Sequence, residues 1–375
     1  MPLIQRYFYR QLLVPVLASM AALFALAILT QGLMFFDLVV ERRQSAWVFL
    51  QLVVLAMPPL FAMLAPIAML IATILAFNRL QTDNEFVVAF AGGVSRWQAV
   101  SPALRVAVAV TIITLLVNLF AQPAAARLSR ELRYQVRTDL VAGLIREGEF
   151  IEPAPGLTVY AEEVDPDGAI RNILIHQERP NEPTVTFNAR AAQIIQQGGA
   201  PVLVLRDGTS NGLRRDNVLS YVSFREYRLD LAPFVDGGEG VVFKTSDRWL
   251  HELMFPDLRV AWDRTNADRM LAEGHGRLST PLYNIAFVLM GAAAILGAAF
   301  SRLGYSRRIA YVSIAAAVVR IIGFGVGAAA SSAPLLNVLQ YVVPLAACVW
   351  AWRALFRSVG AAQRGPRALQ SLQPA

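Results

Sequence analysis

The sequence predicts an α-helical membrane protein with six transmembrane helices and a periplasmic all-β domain, a β-jellyroll, inserted between helices 3 and 4. Of the 375 residues, 56% are hydrophobic and only 16% are charged, whereas a soluble protein carries about a quarter charged residues. Six segments each contain the roughly 20 predominantly apolar residues that a helix needs to cross a hydrocarbon core of about 30 Å. Between the third and fourth segments, residues 123–279 contain several short β-rich runs instead.

The six apolar segments differ in their regularity. The first has no charge from residue 11 to residue 36. That length exceeds the roughly 7 to 15 residues of a signal-peptide core, so we interpret it as a retained helix. The second contains Pro58, Pro59 and Pro66, and we expect it to be kinked or broken because proline frees backbone carbonyls. We place the segments near 12–36, 47–77, 100–122, 280–300, 309–330 and 335–352.

Arginines in the short connections predict the orientation, because cytoplasmic loops carry an excess of basic residues. Four groups of arginines fall on one side of the membrane, and only Arg42 and Arg43 oppose them. We therefore expect both termini to be cytoplasmic, including the tail at 353–375. Residues 1–122 then hold helices 1 to 3, residues 280–352 hold helices 4 to 6, and the insertion is periplasmic. The four groups are Arg6 and Arg10; Arg79 and Arg96; Arg302, Arg307 and Arg308; and Arg353, Arg357, Arg364 and Arg367.

The insertion at 123–279 changes character along its length. Residues 123–146 predict a basic helix, because four arginines between 127 and 137 recur at helical spacing. Five β-rich runs separated by turn residues follow, and they predict a sandwich or jelly roll at about 145–232. A polar, glycine-containing link then leads into a helical stretch that returns to the membrane. The β-rich runs are 157–164, 170–176, 184–187, 201–205 and 218–224.

The reactive residues do not assemble into a catalytic, metal or cofactor site. The sole lysine, Lys244, follows Phe243 and cannot complete a P-loop, so the chain cannot supply an ATPase site of its own. Its three histidines are dispersed, and Cys348, the sole cysteine, lies in an apolar segment. The net charge of +7 comes from arginines beside the apolar spans, a placement that disfavours nucleic acid as a partner.

The connection between the second and third spans predicts a short cytoplasmic helix at about 80–98. Asp83 and Glu85 would lie in its first turn, and Gly92 with Gly93 would end it. A helix held between two spans could transmit force from a cytosolic partner. The alternative is an amphipathic surface helix whose acidic end is simply solvated.

Several stretches occur in an order that is shared with one family. They are Arg6, Tyr7 and Arg10 before the first span; the 80–95 loop with Glu85 and the run from Ala91 to Ser95; the β-domain between two sets of three spans; and the run from Glu273 to Pro281. The chain resembles, over almost its whole length, the lipopolysaccharide export permeases of the LptF/LptG (YjgP/YjgQ) type. Within the β-domain, residues 148–150, 159–162 and 205–208 look more like the LptF-type subunit.

The resemblance implies a transport subunit rather than an enzyme, in an ATP-driven exporter. It would extract lipopolysaccharide from the bacterial inner membrane and pass it to a periplasmic bridge, an LptC-like component. ATP hydrolysis would take place on a separate cytosolic ATPase dimer, LptB-like, with Asp83 and Glu85 as the ATPase-coupling residues. A homologous six-helix permease partner, LptG-like, would complete the transport cavity.

Three arginines are candidates for binding lipid phosphate. Arg320 lies halfway along the fifth span, about 15 Å from either end at 1.5 Å per residue, and the six predicted spans contain no acidic residue to pair with it. Either it faces a cavity and meets a lipid phosphate, or it bonds to carbonyls freed by the prolines of the second span. Arg42 and Arg43 lie beyond the outer end of the first span, where residues 31–36 are neutral although the family commonly has basic residues there.

Three other functions compete with lipopolysaccharide export. An FtsX-like mechanotransmission permease would have four spans, and the six segments disfavour it. A membrane-anchored periplasmic sensor would need a cytosolic signalling domain, and only the short tail at 353–375 follows the last span. An integral enzyme is disfavoured by the dispersed acids and histidines.

Overall fold

The structure is a computed structural model, and its residues form two units. The helical unit comprises Met1–Phe36, Leu50–Arg127 and Lys244–Ala375, and the second unit comprises Asp37–Phe49 and Leu128–Phe243. The structure describes residues 3–40, 46–143, 147–154, 156–165, 169–178, 184–197, 200–213, 219–230, 243–297 and 305–362.

Eleven α-helices are found among the described residues. Five helices are long and apolar enough to cross a membrane, and a sixth span results if the pair α8 and α9, which is bent by 44°, is counted as one. Pro281, between α8 and α9, accounts for the bend because it cannot donate a backbone hydrogen bond. The helices are α1 Leu3–Val40, α2 Ala46–Leu55, α3 Met57–Thr82, α4 Glu85–Ala91, α5 Arg96–Leu116, α6 Gln122–Gly143, α7 Leu250–Met254, α8 Ala261–Ser279, α9 Leu282–Leu296, α10 Ser306–Ala330 and α11 Asn337–Ala362.

The predicted break in the second segment is confirmed, and it lies at Ala56 between α2 and α3. Pro58 and Pro59 occupy the first turn of α3, where a helix needs no backbone donors. The predicted basic helix is also confirmed as α6. It follows α5 through a π-helix at Val117–Ala121, so the helix of the third span extends past the predicted end at residue 122.

Helix α9 is the centre of the helical unit, because nearly all of its side chains are buried. Its apolar residues pack with those of α3, α5 and α11 in one continuous core. The outer helices differ: in α10, Ile314 is 61% exposed and Ile321 is 68% exposed. Exposed apolar side chains of this size are expected where a helix faces lipid or another apolar helix.

The second unit contains one six-stranded antiparallel sheet with the strands in consecutive order. Four of the five predicted β-rich runs lie entirely in strands, and residues 219–224 of the fifth lie in β6, since residue 218 is outside the described residues. The runs at 184–187 and 201–205 are shorter than β4 and β5, because alanine and polar residues with low β-propensity continue those strands. The strands are β1 Phe150–Ala154, β2 Leu157–Val164, β3 Ala169–Gln177, β4 Thr184–Gln197, β5 Ala200–Leu213 and β6 Leu219–Asp230.

This sheet is folded along a line that crosses β2 to β6. On each of these strands one residue is missing from the register of paired residues. These residues, from Glu162 in β2 to Arg225 in β6, lie opposite one another across the sheet. On that line Asn172 and Asp207 both have a φ of 50°, a left-handed conformation that Asn and Asp tolerate. The rings of Phe187 in β4 and Tyr227 in β6 have centroids 5.0 Å apart, although in a flat sheet the two residues would be roughly 19 Å apart.

The fold in the sheet encloses the apolar core of the second unit. Residues from both sides of the line, such as Ile175 and Leu205, have no exposed surface and belong to one buried cluster. The described strands therefore establish a folded antiparallel sheet. The predicted jelly roll stays a prediction.

Candidate functional site

A cavity of about 530 Å³ lies inside the helical unit, between α3, α8, α9 and α10. Four charged residues line it: Arg269, Glu273 and Arg277 of α8, and Arg320 of α10. Small residues of α10, including Gly323 and Gly327, form part of its wall. The cavity is thus polar at α8 and mostly apolar along α3 and α10.

Arg320 is 9% exposed, and its guanidinium lies between two aromatic rings. Its Cζ atom is 4.7 Å from the ring centroid of Tyr283 and 4.3 Å from that of Phe324, distances typical of cation–π contacts. A Cβ atom at position 323 would lie 2.1 Å from the Tyr283 hydroxyl, so glycine is required there. Within the described chain, Nε of Arg320 has no hydrogen-bond partner.

A second unpaired polar atom lines the same cavity. The Nδ2 atom of Asn118 donates to the carbonyl of Arg277 at 3.0 Å, and Asn118 is 2% exposed. Its Oδ1 atom has no hydrogen-bond partner among the described residues. Exchanging the Nδ2 and Oδ1 atoms would place an oxygen against the Arg277 carbonyl, which only accepts hydrogen bonds. The amide orientation is therefore fixed by this contact. Two residues of the cavity wall, Arg320 and Asn118, thus each carry a buried polar atom that has no hydrogen-bond partner among the described residues.

Arg277 is 3% exposed, and each of its three guanidinium nitrogens donates at least one hydrogen bond. Its Nε donates to Glu273 Oε1 at 3.1 Å, and Nη1 donates to the carbonyl of Arg248 at 2.8 Å. Nη2 donates to the carbonyls of Ser246, at 2.9 Å, and Thr245, at 3.2 Å. Arg277 thereby fixes the segment that precedes α7 against α8.

Ion pairs extend this cluster to the start of α6. Arg127 pairs with Glu252 at 2.5 Å, and Arg248 pairs with the buried Asp263 at 2.8 Å. Burial alone would raise the pKa of Glu252. Hydrogen bonds from the Trp249 amide and Arg127, with the charges of Arg127 and Arg248, outweigh it and lower that pKa. Sequence analysis did not identify this cluster, and the acids at positions 247, 252 and 263 were its only sequence signal.

The connection between α3 and α5 contains a helix that is shorter than predicted. Helix α4 covers only Glu85–Ala91, and Glu85 is its first residue. The predicted position of Asp83 in the first turn of this helix is wrong, because Asp83 caps the end of α3 and lies 3.7 Å from Arg79. Its role as an ATPase-coupling residue stays a prediction. Asn84 separates the two helices because its φ is 58°, and left-handed Asn interrupts a helix.

Helix α4 is anchored by Phe86, which has no exposed surface. Its ring centroid lies 5.3 Å from those of Phe8 in α1 and Phe77 in α3. A groove of about 400 Å³ lies between α1 and α4. It is lined by Ile4, Tyr7, Phe8, Asp83, Glu85, Val88, Ala89, Gly92 and Val94.

The structure thus places the candidate residues in two locations. Arg320 lines the cavity, and Asp83 and Glu85 border the groove. The other two candidates for lipid phosphate, Arg42 and Arg43, lie outside the described residues. The prediction of a lipid contact at Arg320 stays a prediction, as does the role of Glu85.

Comparison with known proteins places these features in a family. The sequence profile of the family described as lipopolysaccharide export system permease LptF/LptG matches residues 6–359. The lipopolysaccharide export system permease protein LptF of Escherichia coli is 23% identical over 283 residues, 74% of each chain. An uncharacterized protein of Rickettsia prowazekii is 24% identical over 273 residues, 71% of this chain and 73% of its own. This multi-pass membrane protein belongs to the lipopolysaccharide export system permease LptF/LptG family.

Proposed function

We propose that the chain is the permease subunit of an ATP-driven lipopolysaccharide exporter. It extracts lipopolysaccharide from the inner membrane and passes it to a periplasmic bridge component. The observation that carries the proposal is Arg320, a buried guanidinium in a cavity of the helical unit with an unpaired Nε atom. A permanently charged residue within a span is expensive to bury and is usually functional.

The chemistry of the cavity suits a phosphorylated sugar. The Nε atom of Arg320 needs an acceptor, and Oδ1 of Asn118 needs a donor. Both atoms have almost no accessible surface, so the proposal requires the cavity wall to rearrange before a phosphate oxygen and a sugar hydroxyl reach them. A guanidinium then binds phosphate with charge-assisted hydrogen bonds. A cavity of about 530 Å³ accommodates such a headgroup but not several acyl chains. The acyl chains of the lipid would remain outside it.

Partner subunits complete the exporter in this proposal. A separate cytosolic ATPase dimer docks at α4, where Val87 and Val88 are 43% and 71% exposed beside Glu85. A homologous six-helix permease subunit covers the exposed apolar faces of α1 and α10. With both termini cytoplasmic, α4 faces the ATPase and the insertion faces the periplasm.

The second unit receives the lipid in this proposal. The apolar interior of its folded sheet would shield acyl chains. Strands β1 and β6 each pair on only one side within the described sheet, so their free edges can add a strand from the bridge component.

Lipid release from proteoliposomes tests the function. The complex would be reconstituted with lipopolysaccharide, the ATPase, the partner permease and the bridge component. We expect ATP-dependent release that falls at least tenfold in Arg320→Ala and is unchanged in Arg259→Ala, a matched control whose side chain is exposed outside the cavity. A wild-type complex that hydrolyses ATP without releasing lipid contradicts the exporter. Equal release by wild type and Arg320→Ala contradicts the role of Arg320.

A further inference from the structure

The first turns of α1 are joined to α4 by a hydrogen bond. The Tyr7 hydroxyl donates to Glu85 Oε1 at 2.9 Å, and Gln11 Nε2 donates to the Tyr7 hydroxyl at the same distance. Tyr7 and Glu85 are 78 positions apart in the sequence. Glu85 Oε2 has no partner within the described chain, so the bond orients the carboxylate and leaves one oxygen available.

The same end of α1 is also packed more closely than its other end, where Phe35 is buried but most side chains are exposed. Phe8, Leu12 and Val16 are at most 5% exposed. Leu29 and Met34 are 63% and 68% exposed. A displacement of α4 therefore acts on the packed end of α1. At 1.5 Å per residue, the 38 residues of α1 form a helix about 57 Å long that carries the displacement across the membrane.

We propose that Tyr7 is a positioning residue that couples ATP hydrolysis to transport. Its hydroxyl holds Glu85 against α1, so that movement of α4 by the docked ATPase also moves α1. The Phe8 and Phe86 rings are in contact, so they transmit movement of α4 towards α1. The hydrogen bond between Tyr7 and Glu85 resists movement of α4 away from α1. This inference rests on the proposed function, because it requires an ATPase that acts on α4.

The variant Tyr7→Phe separates the hydroxyl from the packing, because it keeps the ring beside Phe8. In reconstituted complexes, we expect lipid released per ATP hydrolysed to fall about fivefold, which corresponds to about 1 kcal/mol. ATP hydrolysis and co-purification of the ATPase should stay at wild-type levels. Tyr9→Phe, in the same turn of α1, is the matched control and should behave as wild type.

A double-mutant cycle tests whether Tyr7 acts through Glu85. Glu85→Ala should lower the same ratio, and adding Tyr7→Phe to it should cause no further loss. An unchanged ratio in Tyr7→Phe, or losses that multiply in the double variant, overturns the positioning role while the exporter stands. A wild-type complex that releases no lipid on ATP hydrolysis overturns both proposals.

Discussion

Two buried arginines line the same cavity of the helical unit, and their surroundings differ. Arg277 donates to one carboxylate and three carbonyls. Arg320 lies between two aromatic rings, and its Nε has no partner among the described residues. A buried cation with its hydrogen bonds satisfied holds structure together, whereas an unsatisfied one costs free energy. The full pairing of the Arg277 nitrogens indicates that Arg277 serves the fold, and the unpaired Nε of Arg320 supports our proposal that Arg320 binds a ligand.

Removing Arg277 should have the largest effect on stability. Arg277→Ala leaves three carbonyls and Glu273 without their donor, so we expect the free energy of unfolding to fall by about 3 kcal/mol or more. Thermal unfolding of the purified protein in detergent measures this. Arg269→Ala, on the same helix but exposed, is the control and should change little. Equal stability of the two variants would contradict a structural role for Arg277.

The position of Arg320 depends on Tyr283 and therefore on Gly323. Gly323→Ala forces the buried Tyr283 ring to move, because the new Cβ would lie 2.1 Å from its hydroxyl. We expect a destabilisation of about 1 to 3 kcal/mol, typical of overpacking. Gly325→Ala is the matched control, since nothing lies within 4 Å of its Cβ position. Gly325→Ala should be neutral or slightly stabilising. A similar loss of stability in both variants would contradict the predicted clash with Tyr283.

The Arg127 and Glu252 ion pair should contribute least, and its contribution should depend on pH. The pKa of Glu252 is lowered in the folded state. Its stabilisation is therefore fully present above the unfolded pKa, about 4.5, and is lost as the pH falls through the folded pKa. Because the pair is partly exposed, we expect it to contribute less than about 1 kcal/mol to the free energy of unfolding. Glu252→Gln should lower the unfolding temperature at neutral pH, and this deficit should shrink at about pH 3. A deficit in unfolding temperature that grows as the pH falls would contradict the lowered pKa of Glu252.

The sequence was informative wherever a signal is local. Runs of apolar residues located each helix that can span the membrane, and β-rich runs located five of the six strands. The prolines of the second segment predicted a break, which lies at Ala56 beside Pro58 and Pro59, whereas Pro66 lies within α3. The exact ends of α4 depend on the left-handed Asn84, which a propensity argument cannot identify. The helix boundary was therefore wrong at Asp83.

The contacts that define the two functional locations are not local. Arg277 binds carbonyls about 30 positions earlier in the chain, and Tyr7 meets Glu85 across 78 positions. No pattern of spacing predicts such pairs. The isolated charge of Arg320 within an apolar segment was the exception, because its cost in the membrane makes it conspicuous without knowledge of its neighbours.

Photo-crosslinking from the cavity tests most directly whether Arg320 holds a lipid phosphate. A photoreactive residue at position 328, which lines the cavity, should capture lipopolysaccharide in protein that retains Arg320. The yield should fall at least tenfold in the Arg320→Ala background, while co-purification of the partner permease is unchanged. A probe at position 321, on the exposed face of α10, controls for general contact with lipid. Equal capture at position 328 with and without Arg320, or loss of subunit assembly in Arg320→Ala, would contradict the account.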